Sequence, residues 1–341
     1  MKYSSRFFLY APLAVFLAIA AAVCMMWWRE ASALSARLDA LNGHEAVPGV
    51  RLSFASKTVG GFPFNLDVVF KDFRVEVATP HGPSSWRSEN FALHALTYGR
   101  EQMIIEAAGR QALSWHDAQG KPHGMPFAVG EWHASTIRGG RGLSRVDMDL
   151  IGFGSPALTA ARIQLHARIA PDGRSVDIAG AADTVHLSPR LASLFGDDVT
   201  QVRFSASAAP SRAFDGLRAG KTDWVSALET WRAANGVLRV SDLEISWNRF
   251  SAMGKGSLGL DDRHAMQGLL DFKVAGIQTL LDAAARRHVR GDQFRGIAQA
   301  LLLRAARAGN NEAGLLGAVV AFHNGVVSVG DVQATDEEPL Y

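Results

Sequence analysis

The chain has 341 residues, is 48% hydrophobic and 20% charged, and carries a formal net charge of +2. That balance describes an ordered protein with a sizeable core and excludes a disordered, collagen-like or coiled-coil chain. With 35 basic against 33 acidic residues and no basic block beyond the extreme N-terminus, it lacks the footprint of a nucleic-acid binder. A single cysteine, Cys24, excludes an internal disulfide, a Cys-rich metal site and a CxxC redox pair.

Phe7 to Trp28 is a run of 22 residues without a charge. At about 1.5 Å per residue it reaches roughly the 30 Å of a bilayer core. Lys2 and Arg6 precede it, Arg29 and Glu30 cancel after it, and Trp27 and Trp28 stand where an aromatic belt meets the far interface. The pattern predicts residues 1–6 in the cytoplasm, an inner-membrane anchor over 7–28 and the bulk of the chain in the periplasm. A cleaved signal peptide is the alternative, but bulky Met25 to Trp28 occupy the place of a small-x-small cleavage site. Val23 before Cys24 is too large for a lipoprotein site, so Cys24 reads as a buried apolar side chain. Pro12 is tolerable in the first turns of such a helix. Leu34, Leu38 and Leu41 continue at helical spacing to an Asn42-Gly43 stop, which suggests a stalk over 29–43 or, equally, an ordinary first helix of the body.

From Val50 onward the dominant period is two, the signature of strands. Val50, Leu52 and Phe54 alternate with polar or small neighbours, as do Leu66, Val68 and Phe70, and then Phe73, Val75 and Val77; the phase slips near Lys71-Asp72, where a bulge or tight turn is expected. The clearest strand is Arg162 to Ile169, with Ile163, Leu165, Ala167 and Ile169 on one face and Arg162, Gln164, His166 and Arg168 on the other. Similar alternation marks Val146 to Ile151, Val202 to Ser207, Leu243 to Trp247 and Leu269 to Ala275. Half-wet strands of this kind belong to antiparallel sheets. Pro171-Asp172-Gly173 and Asp261 to His264 read as hairpin turns.

Short helices are expected from Ser188 to Gly196, from Asp223 to Asn235-Gly236 with Trp224, Leu228 and Trp231 on one stripe, from about Gly276 to Val289 and from about Phe294 to Ala308. A weak internal echo relates Asp177 to Gly196 with Leu270 to Ala283, and Asn235 to Val240 with Asn324 to Val329. The predicted architecture is therefore α+β, mainly β. An N-terminal transmembrane helix is followed, over residues 46–341, by a large curved antiparallel sheet of duplicated strand-rich units with a few short helices, and a half boundary falls near 210–235.

Motifs with a chemical meaning fail on context. Gly254 to Gly259 matches GxGxxG but lies among strand residues and runs into a turn, so no helix N-terminus follows to hold a phosphate; close backbone packing is the better reading. Gly216 to Thr222 has three residues between its glycines where a P-loop needs four, and reads as a surface loop leading into the Asp223 helix. No GxSxG, SxxK or HExxH is present, and the sole thiol lies in the anchor. The 11 histidines are scattered. Asp147 and Asp149, sharing a strand face with Arg145, read as a solvated charge ladder rather than an acid and base pair. Catalytic, metal and cofactor sites are not expected, and neither is an enzyme.

Gly60-Gly61-Phe62-Pro63-Phe64, ahead of a long alternating strand and some thirty residues after an anchor, resembles the signature of the bacterial envelope family called domain of unknown function 2125. The segment Gly236 to Gly276 and the ending Asn324 to Gly330 support the same resemblance. That family has no assigned activity and brings no catalytic residues. It is in turn similar in pattern to AsmA-like envelope proteins, which implies a membrane-anchored, curved sheet whose apolar groove contacts or carries lipid. Independently of family, the glycines permit unusual backbone, Pro63 confines itself to a strand start, and burial of Phe62 and Phe64 would anchor that start.

A sheet wider than its helices can cover must either curl on itself or leave a trough that an acyl chain can fill. The expected function is lipid contact or carriage in maintenance of the cell envelope, with membrane lipid as partner. The candidate lining residues are Leu66, Val68, Ile163, Leu165, Ile245 and Trp247, although any one of them taken singly reads better as ordinary core. The alternative is a non-enzymatic envelope assembly factor that binds a protein through a sheet edge or apolar patch.

Overall fold

The computed structural model describes residues 5–97, 101–117, 119–189, 196–276, 315–330 and 332–336. The helix expected at 294–308 lies outside these residues, as do most of those expected at 188–196 and 276–289.

Helix α1 (Ser5–Leu41) is continuous for 37 residues through Pro12, so the apolar run and the expected stalk are one element. Its membrane-length stretch is bare of protein and long enough to cross a bilayer as a single-pass anchor. Cys24 is exposed there, not buried against the chain as its apolar character suggested. The helix stops where expected. Gly43 adopts φ +80°, and the Asn42 side chain bridges the next segment, accepting from Phe54 N at 2.9 Å and donating to Phe54 O at 3.1 Å.

Among the described residues seventeen strands form one sheet. They are β1 (Glu45–Val47), β2 (Val50–Ser53), β3 (Ser56–Gly60), β4 (Asn65–Val77), β5 (Ser84–Leu96), β6 (Gln102–His116), β7 (Pro122–Gly139), β8 (Gly142–Gly154) and β9 (Leu158–Ile169). The chain continues through β10 (Val176–Leu187), β11 (Asp198–Ala209), β12 (Val237–Trp247), β13 (Phe250–Leu260), β14 (Met266–Ala275), β15 (Leu315–His323), β16 (Val326–Val329) and β17 (Val332–Asp336). From β4 to β17 each strand pairs antiparallel with the next. The other side of β4 is shared by β2 and β3, and β1 pairs with β2. Among the described residues the large antiparallel sheet with few helices is thus as the alternation indicated. The phase slip near Lys71 is a left-handed residue, Asp72 at φ +51°, which returns Phe73 to the face of Phe70.

Between β11 and β12 the chain inserts a 3-10 turn (Ser211–Phe214), one helical turn α2 (Asp215–Arg218) and α3 (Trp224–Ala233). The insert falls within 210–235, yet β11 and β12 pair directly across it. α3 begins as read: the Asp223 carboxylate accepts from Ser226 N at 2.7 Å, and Asn235 at φ +53° ends the turn that follows. Of its expected stripe Trp231 is buried, packing with Ala213 and Leu260. Gly216 to Thr222 is not simply a loop, since Asp215 to Arg218 is helical and Arg218 reaches Leu143 O at 2.6 Å. Asn235 and Asn324 share left-handed backbone, but the first ends a helix and the second turns the β15–β16 hairpin, so their echo is one of turn chemistry.

Candidate functional site: one apolar face across the sheet

Residues directly opposite in an antiparallel ladder point to the same side, so the register traces each face from strand to strand. One row runs Phe70, Phe91, Ala107, Trp132, Leu150, Ile163, Ala182, Val202, Ile245, Ala252, Val274 and Leu316, from β4 to β15. Beside it runs Val68, Leu93, Ile105, Ala134, Met148, Leu165, Gly180, Phe204, Leu243, Gly254, Phe272 and Ala318. No charged or polar side chain interrupts either row. A third row begins Leu66, Ala95, Met103 and admits one hydroxyl, Thr136, before Val146 and Ala167.

All six candidate residues lie on this face. Val68 and Ile163 to Ile245 belong to the first two rows, Leu66 opens the third, and Trp247 stands opposite Val199 and Phe250 on the same side. Their burial differs. Leu66 and Val68 are buried, Ile163, Ile245 and Trp247 are half-buried, and Leu165 is 39% exposed although β9 is paired on both sides.

The difference follows from what lies over the face. At β4 the end of α1 covers it: Leu34 and Leu38 pack on the cluster of Val68, Phe70, Phe73, Phe91 and Ala107. There Phe73 and Phe91 stack at 4.0 Å. At β12 to β14 the helical insert covers one end, with Trp231 and Ala213 against Leu260, Leu238 and Met266. The remaining clusters are built from neighbouring strands, as with Phe127, Val129 and Leu150, or Ala160, Val185 and Val199. Leu66 and Val68 are therefore core, whereas Leu165 presents apolar surface among half-buried neighbours.

Glycines let this face stay smooth. A Cβ on Gly180 would lie 2.2 Å from the Phe204 ring, and one on Gly254 would lie 2.5 Å from the Phe272 ring. Each aromatic ring thus lies over the glycine of the adjoining strand, which recovers packing that a strand glycine loses. A Cβ on Gly256 would meet Leu269 O at 2.0 Å. The GxGxxG spacing is a record of backbone contact inside β13, as the sequence reading preferred. A small polar cluster is embedded in the face: Gln111 accepts from Trp86 Nε1 at 3.0 Å and donates to Ser88 Oγ at 2.9 Å, whereas the nearby Trp132 Nε1 is buried without a hydrogen-bond partner.

At β8 and β9 the opposite face is wet and charged, although elsewhere it also exposes Ile104, Met253 and Leu269. Arg145 donates to Asp147 at 2.6 Å, His166 Nδ1 lies 2.8 Å from the same carboxylate, and Arg162 grips Asp149 with contacts of 2.8 and 2.5 Å. Hydrogen bonds from Arg162 hold the Asp149 carboxyl below its ordinary value. At Asp147 burial pushes upward, but the hydrogen bonds from Arg145 and His166 outweigh it and the net shift is down. These are ion-paired carboxylates kept charged, the ladder the sequence suggested, and not an acid poised to give up a proton. Among the described residues no group of three or more His, Cys, Asp or Glu is placed to hold a metal ion.

The Gly60 to Phe64 motif departs from expectation. Gly61 adopts φ +91°, and a Cβ there would strike Asp67 Oδ2 at 2.7 Å and Asn65 O at 2.8 Å, so glycine is required. Phe62 and Phe64 are 54% and 61% exposed, not buried. What holds the turn is the backbone: Asn65 N donates to Gly61 O at 2.8 Å, and the Phe64 carbonyl accepts from Thr97 N at 2.9 Å and Thr97 Oγ1 at 2.8 Å. Trp27 of α1 completes it, donating to Asn65 O at 2.8 Å with its ring edge-on to Phe62 at 5.5 Å. Sequence reasoning missed this partnership because residues 35 and more apart carry no periodic signal of their contact.

Residues 27–334 match the family described as "Uncharacterized protein conserved in bacteria (DUF2125)". The chain belongs to this family. The match takes in the end of α1 and every strand up to the start of β17, so the membership concerns the whole sheet and not the turn motif alone. No curated protein and no solved structure matches the chain.

Proposed function

We propose that this family member is a non-enzymatic envelope protein that holds or conducts membrane lipid on the apolar face of its sheet. Its anchor lies in the inner membrane and its sheet in the periplasm. The observation that carries the reading is Leu165: it sits mid-sheet, within a row free of polar side chains, and remains 39% exposed. Each methylene of an acyl chain laid against such surface contributes about 0.8 kcal/mol, so a chain crossing several strands gains enough to be retained. The rows suit a flexible apolar ligand of indefinite length better than a compact one, because they carry no charged side chain and the Trp132 indole N–H is buried rather than presented to a ligand.

Native mass spectrometry of the full-length protein, purified in detergent and gently delipidated, tests it. Stoichiometric phospholipid is expected to remain bound. A clean apo mass with a co-purifying protein would instead favour an assembly factor that uses the same face for a partner.

A further inference from the structure

We infer that the Gly61 to Asn65 turn is a second membrane contact, which sets Phe62 and Phe64 into the interface of the bilayer that α1 spans. The inference rests on α1 crossing a membrane and is independent of whether the sheet carries lipid.

The geometry places the turn at the right depth. The uncharged run ends at Trp27 and Trp28, and indole rings at the end of a span sit at the headgroup boundary. Trp27 is bonded to the turn twice over, through its Nε1 to Asn65 O at 2.8 Å and through its ring to Phe62 at 5.5 Å. The turn is therefore held at the level of the boundary by α1 itself. From there β4 rises away from the membrane beside the emerging helix, whose Leu34 and Leu38 pack on Val68, Phe70 and Phe73 further along.

The side chains have the matching chemistry. Two phenylalanines at 54% and 61% exposure form the tip of a turn held by hydrogen bonds at Gly61 O, Phe64 O and the Asn65 amide and carbonyl, and Leu96, paired with Asn65, is 39% exposed. Exposed Phe on a rigid turn costs free energy in water and gains it in the acyl boundary. A protein partner could cover the same rings, but it would have to fit between the turn and the headgroups that Trp27 already marks. The bilayer is the occupant that needs no further component.

The test uses full-length protein in liposomes, with Cys24→Ala as background and an environment-sensitive fluorophore on Phe64→Cys. Leu96→Cys is the second reporter, and Ser257→Cys on the outer face of β13 is the aqueous control. Labels at positions 64 and 96 are expected to be quenched by lipids spin-labelled near the headgroup. Their quenching by iodide is expected to be several-fold weaker than at position 257. If both report water as fully as position 257 while a label on native Cys24 is shielded by lipid, the turn does not insert and the inference fails with the anchor intact. If the Cys24 label also reports water, the anchor reading itself fails.

Discussion

The ring of Phe272 lies directly over Gly254, where an added Cβ would come within 2.5 Å of the ring carbon Cε1. This pairing, repeated by Phe204 over Gly180, shows how the sheet keeps a tightly packed apolar face without a covering layer at every strand.

The glycines of β13 should differ from others in the sheet. Gly256→Ala pushes a methyl into the Leu269 carbonyl at 2.0 Å and is expected to destabilise the protein by about 1–3 kcal/mol, read as a lower thermal or denaturant midpoint. Gly154→Ala, with nothing within 4 Å, is expected to shift stability by about 0.5 kcal/mol or less.

Position along the apolar face should decide the cost of truncation. Phe91→Ala removes a ring stacked at 4.0 Å on Phe73 beneath α1 and is expected to cost about 3–5 kcal/mol. Leu165→Ala, at a site 39% exposed, is expected to cost about 1 kcal/mol or less. Equal losses at the two sites would mean that Leu165 is core in solution.

The exposed part of the face also predicts a separation of binding from stability. Leu165→Glu places a carboxylate in the middle of an unbroken apolar row. Lipid retained after delipidation is expected to fall several-fold while the melting temperature in detergent stays near that of the parent. Unchanged lipid content would remove Leu165 from the binding surface.

Acid should loosen the outer face. Asp149 and Asp147 are held below the ordinary carboxylate value of 3.8, so each stabilises the folded state fully above that value. The contribution is lost as pH falls below 3.8 through the depressed folded values, because the unfolded state binds the proton more readily there. Denaturant midpoints measured from about pH 5 down to about pH 2 are expected to fall, and Asp149→Asn is expected to flatten the fall.

The helical insert offers a local test. The Asp223 side chain accepts the Ser226 amide at 2.7 Å, so Asp223→Ala is expected to cost about 1 kcal/mol, with Asp223→Asn or Asp223→Ser recovering most of it.

Much of this molecule is legible in single residues. Twenty-two uncharged positions before Arg29 define a membrane-length helix, Asn42-Gly43 its end, and Asp223 and Asn235 the limits of α3. The alternation of Ile163, Leu165 and Ala167 with Gln164, His166 and Arg168 states which side of β9 is apolar, since period two is a property of one strand's own backbone. Sequence therefore determined a membrane-length helix, the antiparallel character of the sheet and the apolar phase of the strands that carry the six residues sharing one face, but not β5 to β7, whose alternation is too broken to read.

It did not determine how those phases line up from strand to strand or what lies over them. Register joins Val68 and Leu165 in a single row, and the descent of α1 onto β4 helps make the first core while the second is left exposed. The same applies to Phe62 and Phe64, whose apolar character suggested burial until Trp27 was found holding their turn with both rings outward. Hydrophobicity is local to a side chain, whereas the presence of a neighbour to cover it depends on segments distant in the chain, and tertiary structure alone brings those together.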